Sequence, residues 1–272
     1  MLSLDRPRIM GILNVTPDSF SDGGDWLGFP QALMHAHHMA AAGADIIDIG
    51  GESTRPGAGS VSVQQELDRT IPVIEAMRAE IRLPISIDTS KPEVMQAAAQ
   101  AGAGMINDVF ALRREGALET AAELGLPVCL MHMLGDPRSM QDEPRYDDVT
   151  GEIETFLLER VAACEAAGIA GDRILLDPGF GFGKILEHNL ELLRELPRLA
   201  SHGYPVIAGL SRKSMLGQIT GRETSDRVAG SITLAALAAR GGASIVRVHD
   251  VAETHDALQV VNAVWPPRAQ AE

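Results

Sequence analysis

Aromatic residues are scarce in this chain, with two Trp, two Tyr and six Phe among 272 residues. So few rings provide no ladder on which nucleic-acid bases could stack. Basic residues are also in deficit: 23 Lys and Arg stand against 37 Asp and Glu, for a formal net charge of −14. A phosphate backbone needs a basic surface, so a nucleic-acid partner is not expected. The acidic excess reads as a solubilising surface, and an anionic substrate would require basic residues gathered locally. The two cysteines, Cys129 and Cys164, have no metal-ligand spacing and form no disulfide framework. One lies in an apolar run and the other in a helical stretch, so buried reduced thiols are expected. No apolar run reaches the roughly 18 residues of a membrane span. The opening MLSLDRPRIMGILNV has no charged leader, long apolar core or cleavage site, which points to a cytoplasmic location and no membrane partner.

What the chain does have is repetition of one unit. Short apolar or β-branched runs recur at 10–15, 45–50, 84–89, 105–109, 127–132, 174–179, 205–211 and 244–249. None alternates cleanly, which suits parallel strands buried on both faces. Ala-, Leu- and Glu-rich segments with helical spacing separate them, among them 31–42, 152–167, 187–200 and 226–241. Ser62 and Gln65 read as a capping box opening a helix with a Leu67, Ile71, Ile74, Met77 stripe, which Pro72 should kink. Ser90 and Glu93 read as a second box, with Pro92 in the first turn and Gly102 as the stop. Eight strand-helix units without a linker or composition break predict an α/β fold, a single (β/α)8 TIM barrel over 1–272 with a frayed tail from about 266. An open doubly wound sheet is the other arrangement such alternation allows, but the GxGxxG turn after the first strand that would support it is absent.

In a β/α barrel the active site lies at the C-terminal ends of the strands. Those ends carry Asn14, Asp48, Asp88, Asn107, His132, Asp177, Ser211 with Lys213, and Arg247 with His249. Any one could be a cap or a satisfied buried polar group. Buried charge is costly unless paired, so eight polar strand ends together indicate an enzyme. The loops at 16–24 and 50–57 are polar and glycine-rich, suited to lids and to anion capture. Ser211-Arg212-Lys213-Ser214 leads into a short helix where an anion could meet both the N-terminus and the lysine. The cluster His35, His37 and His38 reads as a solvated helix face rather than a metal site.

The segments NVTPDSFSDGG, DIGGESTRPGA, ISIDTSKPEV, INDV, MHM with PRSMQ, LDPGFGFGK, GLSRKS and RVHDV together resemble dihydropteroate synthases, in that family's order and over residues 9 to about 260. The resemblance implies a transferase of folate biosynthesis that joins 6-hydroxymethyl-7,8-dihydropterin diphosphate to p-aminobenzoate, and a sulfonamide target. It implies catalytic roles for Asp88, Asp177, Lys213 and Arg247. It gives the pterin to Asp88, Asn107, Asp177, Lys213, Met131, Gly209 and Phe182, and the diphosphate to Asn14, Thr54, Arg55, Arg247 and His249. The p-aminobenzoate falls to Ser214, Phe20, Pro56 and Phe182. Mg2+ is implied on Asn14, and a homodimer through helices near the chain's end. A pterin-dependent methyltransferase or a non-catalytic pterin-binding paralogue could share part of this pattern. Asp48 and His132 receive no role beyond a structural one.

Overall fold

The computed structural model describes residues 2–16, 28–53, 59–136 and 139–266. The eight expected strands are all present: β1 (Arg8–Asn14), β2 (Ile46–Gly50), β3 (Ile85–Asp88), β4 (Met105–Asp108), β5 (Val128–Met131), β6 (Ile174–Asp177), β7 (Ile207–Ala208) and β8 (Ile245–Val248). They form one parallel sheet in the order β6-β5-β4-β3-β2-β1-β8-β7. A parallel bridge between Leu176 and Val206 joins the two edges, with the Leu176 amide donating to the Pro205 carbonyl at 2.9 Å. The sheet therefore curls on itself as a β/α barrel, which removes its exposed edges.

The helices are α1 (Gly28–Ala41), α2 (Val63–Glu80), α3 (Pro92–Ala101), α4 (Ala117–Leu124), α5 (Val149–Ala166), α6 (Leu186–Arg194), α7 (Leu196–Ala200), α8 (Ser214–Thr220), α9 (Val228–Arg240) and α10 (Val251–Val264). The box at α2 forms as expected: Ser62 Oγ accepts from the Gln65 amide at 3.2 Å and Gln65 Oε1 from the Ser62 amide at 3.0 Å. Pro72 does not end that helix. The expected stripe packs on the core, with Ile74 and Met77 buried and Leu67 and Ile71 partly so, and the buried face widens to take in Glu66, Thr70 and Val73. A charged residue can take the face because Lys91 reaches Glu66 from the loop after β3. Ser90 departs from expectation. The cap position of α3 is Lys91, without a side-chain cap, and the Ser90 hydroxyl donates instead to the Asp108 carboxylate. Gly102 ends α3 as expected, at φ +116. The stretch 187–200 is two helices, interrupted at Glu195 before Pro197, whose ring cannot continue the hydrogen-bond ladder. Cys129 and Cys164 are buried free thiols.

The barrel interior sets out the site. Met10, Ile46, Met105, Cys129, Leu175, Ile207 and Ile245 form one apolar cluster, a residue from each of seven strands, closed off by Leu2. Side chains in a strand alternate faces with a period of two, so the residue two positions further along points the same way. Two steps on from this layer stand Asp48, Asn107, Met131, Asp177, Gly209 and Arg247, and Asp88 takes the equivalent place on β3 after the buried Ser86. Two steps beyond those come Asn14, Ser211 and His249 on β1 and after β7 and β8. The strand ends therefore make two tiers, one deep and one at the rim.

Candidate active site

The deep tier is knitted together by ion pairs and amide contacts. Asp48 Oδ2 accepts from Arg247 Nε at 2.6 Å and from Asn107 Nδ2 at 3.0 Å. Asp88 Oδ2 accepts from Arg247 Nη2 at 2.8 Å. Burial raises the Asp88 carboxyl to about 7, against the opposing pull of Arg247. Burial also works against the Arg247 charge, but Asp48 and Asp88 outweigh it and hold the guanidinium firmly protonated. The Oδ1 atom of Asp48 is buried without a hydrogen-bond partner among the described residues. A carboxylate in that state is costly in a finished core, so this floor is shaped for more than packing.

Asp177 faces this group from β6. Its Oδ1 accepts from the Gly179 amide at 2.7 Å, and burial raises its pKa while Lys213 opposes that rise. Lys213 donates from Nζ to the Phe180 carbonyl and lies 4.6 Å above the Phe182 ring. Its pKa falls to about 8, because burial penalises the ammonium more than Asp177 supports it. Gly209 lies between these side chains: a Cβ added there would stand 3.9 Å from both Lys213 Nζ and the Arg247 Cβ. Met131, Val109, Met133 and Met140 make an apolar wall, with Phe110 and Phe182 packed against it. Carboxylates, an amide, a lysine and a thioether wall in one recess suit a flat, nitrogen-rich ring, read by hydrogen bonds at its edge.

At the rim, His249 Nδ1 lies 3.0 Å from Ser211 Oγ, and the His249 amide donates to the same oxygen at 3.2 Å. Asn14 Oδ1 and Asp88 Oδ2 converge over Gly50, 3.8 and 3.6 Å from the place a Cβ would take. Among the described residues no three His, Cys, Asp or Glu side chains are arranged to hold a metal. The neighbouring Asn14 and Asp88 oxygens are hard donors of the kind Mg2+ takes, one or two from protein with the rest from water or phosphate. Ser214 is exposed in the first turn of α8. A cavity of about 320 Å3 borders Asp88, lined by Glu52, Lys91, Phe110 and Arg114 among others. Phe20, Thr54, Arg55 and Pro56 lie outside the described residues.

The structure thus brings Asp88, Asn107, Met131, Asp177, Phe182, Gly209, Lys213 and Arg247 together, with Asn14, Ser211 and His249 above them. It also gives places to two residues that sequence reasoning left aside. Asp48 is the common partner of Arg247 and Asn107, and the period-two register on β2 could have found it. His132, bonded to the buried Lys184 at 3.0 Å, stands outside the deep tier. His35, His37 and His38 are exposed on α1, where His37 meets only Glu80 among the described residues.

The sequence profile of the pterin binding enzyme family matches residues 10–249. Dihydropteroate synthase of Escherichia coli is 55% identical over 262 residues, covering 96% of this chain and 93% of that protein. The Xanthomonas albilineans dihydropteroate synthase solved with 4-aminobenzoic acid superposes with a TM-score of 0.93 at 58% identity, covering 97% of this chain and 95% of that one. The same bacterium's enzyme in complex with 7,8-dihydropteroate gives a TM-score of 0.90 at 55% identity, covering 97% and 96%. The chain belongs to the pterin binding enzyme family and, within it, to the dihydropteroate synthases.

Proposed function

We infer that the reaction this chain carries out as a dihydropteroate synthase takes place across the two tiers of the barrel mouth. In that reaction 6-hydroxymethyl-7,8-dihydropterin diphosphate and p-aminobenzoate become 7,8-dihydropteroate and pyrophosphate. The amino-pyrimidinone edge of the pterin presents two parallel N–H donors, which a carboxylate accepts as it accepts an arginine fork. Asp177 supplies that carboxylate: Oδ1 keeps a second lone pair after accepting from Gly179. Asn107 and Asp88 read the remaining edge, Lys213 donates to the ring acceptors, and Met131, Gly209 and Phe182 bound its faces. A buried polar set of this kind rejects analogues that lack the matching groups.

The rim receives the diphosphate. Arg247 turns Nε and Nη2 inward to the aspartates, which leaves the Nη1 side of its fork for an anion, beside His249. Thr54 and Arg55 complete this anion set from the second loop. Asn14 would hold Mg2+, which when bound supplies charge neutralisation for the phosphate oxygens. The substitution is dissociative. The bond from the exocyclic methylene to the diphosphate oxygen breaks first, and the electron-rich ring spreads the resulting positive charge. Asp88 and Asp177 stabilise that cation, while Arg247 and His249 stabilise the departing pyrophosphate. The arylamine nitrogen then bonds to the methylene and releases its proton, which becomes acidic only as the bond forms, so no strong base is required. Ser214, Phe182, Phe20 and Pro56 form the p-aminobenzoate pocket.

The observation that carries this reading is the convergence of Asp88, Asn107, Asp177 and Lys213 in one tier, beneath a rim that carries His249. Asp177→Asn tests it, since one amide oxygen and an NH2 cannot accept two donors. Calorimetry with the pterin diphosphate should show binding lost; wild-type affinity and pyrophosphate release would refute the orientation. The same release assay, run with and without p-aminobenzoate, separates a working synthase from a non-catalytic paralogue. A homodimer is supported by α9 and α10, which expose Leu237, Val260, Val264 and Trp265. Sedimentation of the wild type and of Leu237→Glu checks it. No described helix is long and apolar enough to cross a membrane, in keeping with the proposed cytoplasmic location.

A further inference from the structure

The loop that leaves β6 carries Phe180 and Phe182 past Lys213, and a buried lysine, Lys184, fastens it from beneath. We propose that Lys184 is a positioning residue of the synthase reaction: it holds residues 178–183 so that the Phe180 carbonyl and the Phe182 ring set Lys213 and one wall of the arylamine pocket. Lys184 is 3% exposed. Its Nζ lies 2.9 Å from the Gly179 carbonyl, 3.0 Å from the Phe182 carbonyl and 3.0 Å from His132 Nδ1. Burial pushes the Lys184 amine well below the ordinary lysine value. An ammonium donates to all three partners with the His132 proton on Nε2, and a neutral amine donates to the two carbonyls and accepts from His132 Nδ1–H, so the three contacts hold in either state. Burial keeps that ring neutral, with its pKa lowered to about 2.

The loop rests directly on the backbone that follows β5. Gly179, Gly181 and Gly183 all take left-handed conformations, at φ +68, +78 and +65. A Cβ on Gly179 would collide with the His132 carbonyl, and one on Gly183 would come within 2.9 Å of the Leu134 carbonyl oxygen. With glycines at these approaches, the loop is held by what Lys184 ties together, along with the Tyr146 hydroxyl donating to the Gly183 carbonyl at 2.9 Å and the Asn189 side chain accepting from the Gly181 amide at 2.7 Å. On its other side the loop meets the chemistry, because Phe180 accepts from Lys213 Nζ and the Phe182 ring lies beneath the same atom.

A buried amine is an expensive way to fill space, since an apolar side chain of the same length would fill it without desolvating a polar group. What this amine adds is three directional bonds fixing one loop conformation.

The inference rests on the site reading above, in which Phe182 walls the arylamine and Asp177 grips the pterin from the strand itself. Lys184→Met should therefore raise the KM for p-aminobenzoate by about tenfold, the loss of roughly one such bond, raise that for the pterin diphosphate as Lys213 and Phe182 shift, and lower kcat. A merely structural lysine would lower the melting temperature and the active fraction while leaving both KM values alone. His132→Leu, which leaves Lys184 its two carbonyl acceptors, should shift the same KM in the same direction by less, and it carries the test if the methionine variant does not fold. Unchanged KM values overturn the proposal. Asp177→Asn measured alongside keeps the two readings apart. Lost pterin binding there with an unmoved p-aminobenzoate KM in the lysine variant refutes the positioning role alone, whereas retained pterin binding refutes the site reading.

Discussion

Arg247 and Asp48 are 199 residues apart in sequence, yet Arg247 Nε lies 2.6 Å from Asp48 Oδ2, and the same oxygen accepts from Asn107. One carboxylate thereby orients both the arginine proposed for the anion and the amide proposed for the pterin. Asp48→Asn keeps the shape but places an amide against a guanidinium. We expect a stability loss of about 2–3 kcal/mol, at the low end for a broken buried pair because Arg247 keeps some solvent contact. Urea unfolding measures it, and pterin diphosphate affinity should fall as Asn107 loses its anchor. A variant as stable and as tight-binding as the wild type would remove Asp48 from the floor of the site.

Lys213 should set an alkaline limit on activity. Its pKa falls to about 8, so the ammonium is present below that pH and lost above it. The pH profile of kcat/KM for the pterin diphosphate, which reports the free enzyme, should decline above about 8. Lys213→Arg, always charged, should keep whatever activity it has through that range. Unfolding through this group would run the other way. Between about 8 and the ordinary value of 10.5 the unfolded chain binds the extra proton, so this lysine adds stability as pH rises. A flat profile across pH 8 in the wild type would argue against Lys213 as a donor to the substrate.

A second ionic knot lies outside the pterin recess. Lys91 bonds both Glu66, nearly inaccessible on α2, and Glu52, whose Oε1 also accepts from the Val61 amide at 3.1 Å. Lys91→Met strands the Glu66 carboxylate and should cost about 3–5 kcal/mol by thermal or urea unfolding. Pairing it with Glu66→Leu should recover most of the loss, since replacing both partners removes the stranded charge. Additive losses in the double variant would show that packing, rather than charge, explains the single one.

Metal dependence provides a further check. Chelation with EDTA should suppress pyrophosphate release, and added Mg2+ should restore it. Asn14→Ala should raise the Mg2+ concentration needed for half-maximal rate, because the neutral oxygen beside Asp88 is gone. Full activity in EDTA, or an unshifted requirement in the variant, would count against Asn14 as the ligand.

Gly179 offers a test of the backbone. At φ +68 with the His132 carbonyl in the way, Gly179→Ala combines a left-handed strain with a steric clash. A loss of at least about 2 kcal/mol in unfolding free energy is expected, more than the 1 kcal/mol or so of the conformation alone.

How much of this was legible in the sequence depends on the range of the interaction. Each strand announced itself as a short apolar run closed by a polar residue, and Ser62, Gln65 and Gly102 marked helix ends, because these are local preferences of a few adjacent residues. Ser90 misled because its hydroxyl had a better partner, Asp108, 18 residues away. The place of Glu66 on the buried face of α2 went unread for the same reason, since only the fold brings Lys91 to it.

The sequence by itself determined the eight units, the polar strand ends and the glycines that let the β6 loop lie flat. Tertiary structure decided which of those ends share a tier. That depends on the stagger between parallel strands and on a side-chain period of two, which become one geometry only when the sheet closes on itself. Closure is what makes Asp48 the partner of Arg247, puts Asn14 and His249 at the rim, and turns His132 toward Lys184 and out of the deep tier.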